Sequence, residues 1–186
     1  MDIYNKVIKK TIEQEIKFQN DKLSTEVFWE YLSQFALSDA NDKTRQELKN
    51  YLNEDFRRFC YTFSILPNIE QSYDVFEIGS NPCYLTALLK EYTNYHVDCS
   101  NCFNDADSSL YCAQQELVNE ARTRSIKIPF INLNIEKNWY QKNAGGGYCV
   151  VCFCEVIEHM IESPIKALLN INCMLKKEGL FSYVHT

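Results

Sequence analysis

Apolar residues along this 186-residue chain follow two spacings, and the changes between them outline its elements. Val7, Ile8, Ile12 and Ile16 lie on one helical stripe, and Val27, Phe28, Tyr31, Leu32 and Phe35 make a second. Thr44 and Glu47 stand as a capping box before a third helix, whose apolar face carries Leu48, Tyr51, Leu52, Phe56, Phe59 and Phe63. Pro67-Asn68 breaks that helix. Beyond it the runs shorten. Val75, Phe76 and Ile78 predict a buried strand ending at Gly79, and Leu85, Leu88, Leu89 and Tyr92 then recur as a helix face. Tyr95-His96-Val97, Ile126 to Leu133, Val150 to Phe153 and Leu180 to Val184 read as further strands. Before the last of these, Ser163 is placed as an N-cap with Pro164 at the first helical position. Ile165, Leu168, Leu169 and Leu175 are the predicted buried face of that helix. Lys176 and Lys177 suit its C-terminus, and Gly179 is predicted to end it. The chain thus divides into a helical cap over residues 1–70 and an α/β domain over 71–186. The cap is expected to cover the sheet, as a lid on an acceptor pocket or as a dimer surface.

A strand that passes through a Gly turn into a helix is the ligand-binding crevice of an open α/β sheet. Two acidic residues flank this one: Glu77 just before the turn, and Asp98 at the end of the next strand-like run, suited to ribose hydroxyls. The loop Gly79-Ser80-Asn81-Pro82-Cys83-Tyr84 has one glycine, where a dinucleotide fingerprint needs three, and Pro82 lacks a backbone N–H. A pyrophosphate is therefore disfavoured. S-adenosylmethionine has no phosphate and asks only for an open turn, a ribose partner and room for the adenine. The first turn of the following helix is expected to receive its methionine carboxylate.

Composition narrows the picture. Apolar residues make up 46% of the chain, enough for a substantial core, and the net charge of −6 disfavours a nucleic-acid backbone as partner. No apolar run approaches the ~20 residues of a membrane span, and the opening MDIYNKVIKK lacks a signal-peptide core. A cytoplasmic protein is expected, with its nine scattered cysteines as thiols. Cys99-x-x-Cys102 and Cys149-x-x-Cys152 together suggest a four-thiolate zinc site. Strict alternation, however, puts Cys149 and Cys152 on opposite faces of one strand, and small buried side chains are the default reading. Gly145-Gly146-Gly147 reads as a turn before the fourth strand.

The runs EIGSNPCYLT (77–86), EVIEH (155–159) and MLKKEGLF (174–181) stand in an order and spacing that resembles the class I S-adenosylmethionine-dependent methyltransferases. The resemblance covers about residues 73–186, and its GSNP-type loop is most similar to bacterial enzymes of polysaccharide and glycan biosynthesis. It implies a three-layer Rossmann-like sheet with strand order 3-2-1-4-5. Pro129 in the third strand agrees with an edge position there. Seven strands complete the family's sheet. The last two find no place here, which leaves the fifth as an exposed apolar edge, open to a homodimer partner or to further chain, or marks the domain as a remnant.

The resemblance also implies roles. Glu77, Gly79, Ser80, Asn81, Cys83 and Tyr84 line the methionine and ribose end, and Asp98 holds the ribose, with Asn101 in its place if the second strand runs longer. Asn134 stands where the family has an aspartate for the adenine amine, and Cys149 where it often has another. Cys154 closes the fourth strand beside the cofactor. His159 is the expected general base, oriented by Glu158 or replaced by it, with Glu155 beside them; His96 and His185 lie elsewhere. The implied reaction is O-methylation of a sugar, glycan or small molecule. Two alternatives stay open. One is a non-catalytic cofactor-binding or interaction module. The other is a metal-dependent RNA 2′-O-methyltransferase, since such enzymes carry a similar EVIEH run and hold a divalent ion there; the favoured reading has no metal.

Overall fold

The computed structural model describes residues 16–103, 111–140 and 147–184. Val7, Ile8 and Ile12 of the first stripe, Gly145, Gly146 and His185 lie outside the described residues. The elements are α1 (Thr25–Leu32), β1 (Phe35–Leu37), α2 (Asp42–Ile65), β2 (Asp74–Ile78), α3 (Tyr84–Tyr92), β3 (His96–Asn101), β4 (Tyr111–Asn119), β5 (Ser125–Asn132), β6 (Tyr148–Cys154), α4 (Pro164–Met174) and β7 (Leu175–Val184). They form an α/β fold around one mixed, seven-stranded sheet in the order β1-β4-β5-β3-β2-β6-β7.

The five strands expected from the apolar runs are neighbours in this sheet, and the ladders from β5 through β3, β2 and β6 to β7 are all parallel. The third of them is not an edge. Two antiparallel strands, β4 and β1, extend the sheet beyond β5. Proline is tolerated inside the sheet because the Pro129 carbonyl faces Cys99, whose Sγ lies 3.5 Å away. The missing N–H therefore points to the β3 side, where paired register begins only at Ile131.

Helix ends follow local chemistry. Asn41, three residues before the expected capping box, caps α2 by accepting from the Thr44 N–H at 2.9 Å. Ser163 caps α4 as its sequence predicts, with Pro164 at the first helical position. The second stripe is interrupted: α1 stops at Leu32, and Phe35 opens β1 instead of closing the helix face.

Two expectations for α4 are overturned. Its sheet-facing side is Ala167, Ile171 and Met174, whereas Ile165, Leu168 and Leu169 are exposed. The small Ala167 side chain allows close approach to the sheet. Lys176, Lys177 and Gly179 do not finish the helix either; they belong to β7. There Tyr148 pairs with Leu175 and Val150 with Leu180, so residues 176–179 bulge opposite Cys149. A Cβ on Gly179 would lie 2.9 Å from the Tyr148 carbonyl oxygen, which excludes a side chain at the bulge. The irregularity also breaks strict alternation: Cys149 and Cys152 pack toward the same core, not opposite ones.

Two cores sandwich the sheet. One holds Phe28, Leu32, Phe59 and Phe63 with Leu85, Leu88, Val75 and Val150, so the helices before residue 70 pack directly on the sheet. The other holds Phe76, Val151 and Phe153 beneath Ala167, Ile171 and Met174. β7 is an edge, with Leu180, Phe181 and Tyr183 partly exposed along it. No helix among the described residues is long and apolar enough to cross a membrane.

Candidate functional site

β2 lies at a switch point: β3 is on one side, β6 on the other, and both run parallel to it. Ligands of open α/β sheets bind at the carboxyl ends of strands at such a point. Two clefts open there and share Gly79, Cys102, Val156 and His159. The smaller, about 350 Å³, runs along Leu133 to Lys137 after β5. The larger, about 520 Å³, lies between α2 and the ends of β2 and β6.

The Gly79 loop consumes its own donors. Gly79 and Ser80 give their N–H groups to the Ser100 carbonyl at 2.9 and 3.0 Å, and Cys83 gives its own to the Ser80 carbonyl. The Asn81 N–H goes to Asn101 Oδ1 at 2.7 Å, and Ser80 Oγ donates to the same oxygen at 3.1 Å. No cradle of N–H groups is left for a phosphate. Gly79 has φ of +73°, and a Cβ there would meet Val156 Cγ2 at 2.6 Å, so this turn admits only glycine.

Glu77 is buried at the end of β2 and accepts a hydrogen bond from Thr86 Oγ1. Burial raises its carboxyl to about 8, and the Thr86 hydrogen bond and the Arg58 charge offset that only in part. Across the sheet it is flanked by Cys99 and Cys152. The four cysteines of the zinc alternative are thus divided by a carboxylate. Among the described residues no group of three or more His, Cys, Asp or Glu is placed to hold a metal, and Glu155, Glu158 and His159 form none.

Asp98 is not at the crevice. It sits in mid-strand opposite Phe76 and accepts from the Tyr148 hydroxyl at 2.9 Å. β3 runs on to Asn101, which lines the larger cleft, and its Nδ2 is buried without a hydrogen-bond partner. An orphaned donor of this kind costs about 1–3 kcal/mol until a ligand satisfies it. Cys83 is fully buried behind the loop, where its Sγ donates to Gln115 Oε1 at 2.7 Å, so it does not line the cleft. Tyr84 does line it, but its hydroxyl turns away to the Phe35 carbonyl, 3.3 Å distant. Ser80, Asn81 and Cys154 also line this cleft.

Asn134 lies in the smaller cleft, and its Oδ1 accepts from the Glu136 N–H at 2.9 Å. Beyond β6, Glu155 takes a left-handed backbone, φ +51°, costly for a non-glycine residue and of the sort that gathers at functional sites. Glu158 and His159 follow in a 3-10 turn, with the carboxylate 3.7 Å from Nε2 and the imidazole largely exposed at the mouth of both clefts.

The sequence reading passed over Glu136. Its buried carboxylate accepts from the N–H groups of Ile161, Glu162 and Ser163 at 3.1, 2.7 and 2.6 Å. Desolvation opposes the charge, but these three donors hold its pKa below the usual carboxylate value. The only sequence signal is an acidic residue directly after Leu133 and Ile135, both buried. The strut ties the His159 loop and the start of α4 to the end of β5. Glu136→Gln is expected to lower stability at neutral pH by about 1–3 kcal/mol, read as a fall in the urea midpoint. A depressed carboxyl stabilises the fold above its unfolded pKa, and that contribution is lost as pH falls through the folded one. The wild-type chain should therefore lose this share of stability only below about pH 4.5, and the variant should show a shallower acid limb.

No family model and no curated protein matches this chain.

Proposed function

We infer that the chain is an S-adenosylmethionine-dependent methyltransferase that O-methylates a sugar, glycan or other small molecule. The observation that carries this reading is the Gly79–Cys83 loop. It sits at the switch point with a buried acid beside it and all these backbone donors bonded internally, which suits a nucleoside without a phosphate. The parallel strands β5-β3-β2-β6-β7 and the two joined clefts support it. Glu77 would hold the methionine end, Asn101 the ribose through its unpartnered Nδ2, and the Leu133–Ile135 wall the adenine. Bound there, the cofactor supplies an electrophilic sulfonium methyl. The chain's own part is to position the acceptor and, for a hydroxyl, to remove its proton. His159 at the shared mouth is the base in this reading, with Glu158 beside it.

One observation favours a second reading, a binding or interaction module without turnover: Asn134 already gives one lone pair of its oxygen to a backbone N–H, which leaves an adenine amine a weaker acceptor than a free carboxylate. Turnover of labelled cofactor with a panel of sugars and glycans separates the two. Calorimetric titration with S-adenosylmethionine and S-adenosylhomocysteine tests the reading common to both. Micromolar binding is expected, weakened about 10- to 100-fold by Glu77→Ala. No heat with either ligand, alongside binding of NAD, would reverse the assignment.

A further inference from the structure

Tyr51, Asp55, Arg58 and Phe59 recur on one face of α2 and wall the larger cleft opposite Glu77. Arg58 is only 5% exposed. Its Nε donates to Asp55 Oδ1 at 3.0 Å and its Nη2 to the Tyr51 hydroxyl at 2.9 Å. The guanidinium carbon stands 4.7 Å from the Phe59 ring centroid. A guanidinium has five N–H donors, so these partners orient the group and leave donors over for a ligand. One cleft therefore carries a buried cation and a buried acid. The backbone offers a carboxylate no substitute: the loop donors are spent, and Tyr84, Leu85 and Thr86 at the first turn of α3 are 2%, 1% and 0% exposed. The helix start expected to take a carboxylate is closed.

We propose that Arg58 and Glu77 are a recognition pair for an α-amino-acid zwitterion, the guanidinium taking the carboxylate and Glu77 the ammonium. The proposal rests on the cofactor reading above and places the methionine end of that cofactor in the α2 lobe. Asp55 and Tyr51 are positioning residues, because they act through the guanidinium. The ligand class is a thioether or sulfonium nucleoside bearing a complete α-amino acid.

Three probes test it by calorimetry: S-adenosylmethionine, decarboxylated S-adenosylmethionine and 5′-methylthioadenosine. The wild-type chain should bind the first on the order of 10- to 100-fold more tightly than the second, the worth of a charge-assisted pair. Arg58→Met should remove that difference and leave 5′-methylthioadenosine binding unchanged, and Arg58→Lys should restore part of it. Equal wild-type affinity for the first two ligands overturns the proposal, with no variant needed. So does an Arg58→Met chain that still discriminates fully. If none of the three binds, the cofactor reading itself falls, a result distinct from binding without discrimination.

Discussion

Phe28→Ala is expected to cost about 3–5 kcal/mol, a large share of the ~5–15 kcal/mol that holds a domain folded. Phe28 is fully buried, and its ring lies 4.9 Å from Phe18, 4.7 Å from Phe63 and 5.1 Å from Tyr92. It therefore joins α1 to both α2 and α3, and the cavity it leaves cannot collapse without moving three elements. The neighbouring Trp29 is the control. It is 37% exposed and packs edge-on against Phe56 at 5.0 Å. Trp29→Ala should cost only about 0.5–1.5 kcal/mol. Urea unfolding followed by far-UV circular dichroism measures both. Equal costs would show that α1 is not anchored through this core.

In His159→Ala, turnover is expected to fall by about 10²–10⁴-fold while cofactor affinity stays as it was. The imidazole lies at the mouth shared by both clefts, with the Glu158 carboxylate 3.7 Å away. It is thus exposed at that mouth and not buried in the walls of either cleft. Its backbone N–H is held by the Val156 carbonyl at 3.0 Å, which fixes the turn whatever the side chain. The alanine variant should keep the fold and separate proton removal from binding. Rate and affinity measured on one preparation decide the matter. Unchanged turnover would place the base on another element or show that none is needed.

The crevice itself was legible because its signals are local. Val75 to Ile78, the Gly79 turn and the Leu85–Tyr92 stripe each declare themselves within a few residues, as do Ser163 and Pro164 at the start of α4. β4 and β1 were not legible. Residues 111–119 carry a polar run, Gln114-Gln115-Glu116, at their centre, and β1 has three residues, so neither carries a period long enough to read; both exist by pairing with distant strands. The face of α4 was misread because Ile165-Leu168-Leu169 and Ala167-Ile171-Met174 are both helical stripes. Hydrophobicity favours the first, and shape against the sheet selects the second. Asp98 was misplaced through β3 running four residues further than its apolar run. Arg58 was hidden in an aromatic stripe, where a charge reads as solvated face until Tyr51 and Asp55 close around it.

The outermost ladder has a kinetic consequence. Phe35 to Leu37 have Leu117 to Asn119 as their strand partners, and β4 in turn is held by β5. During synthesis, β1 therefore leaves the ribosome long before anything exists for it to pair with. It must stay unpaired until β5 has been made and docked. Such sequence-distant pairing slows folding and leaves a strand edge exposed meanwhile. The nascent chain is thus most prone to wrong association while residues 38–132 are emerging.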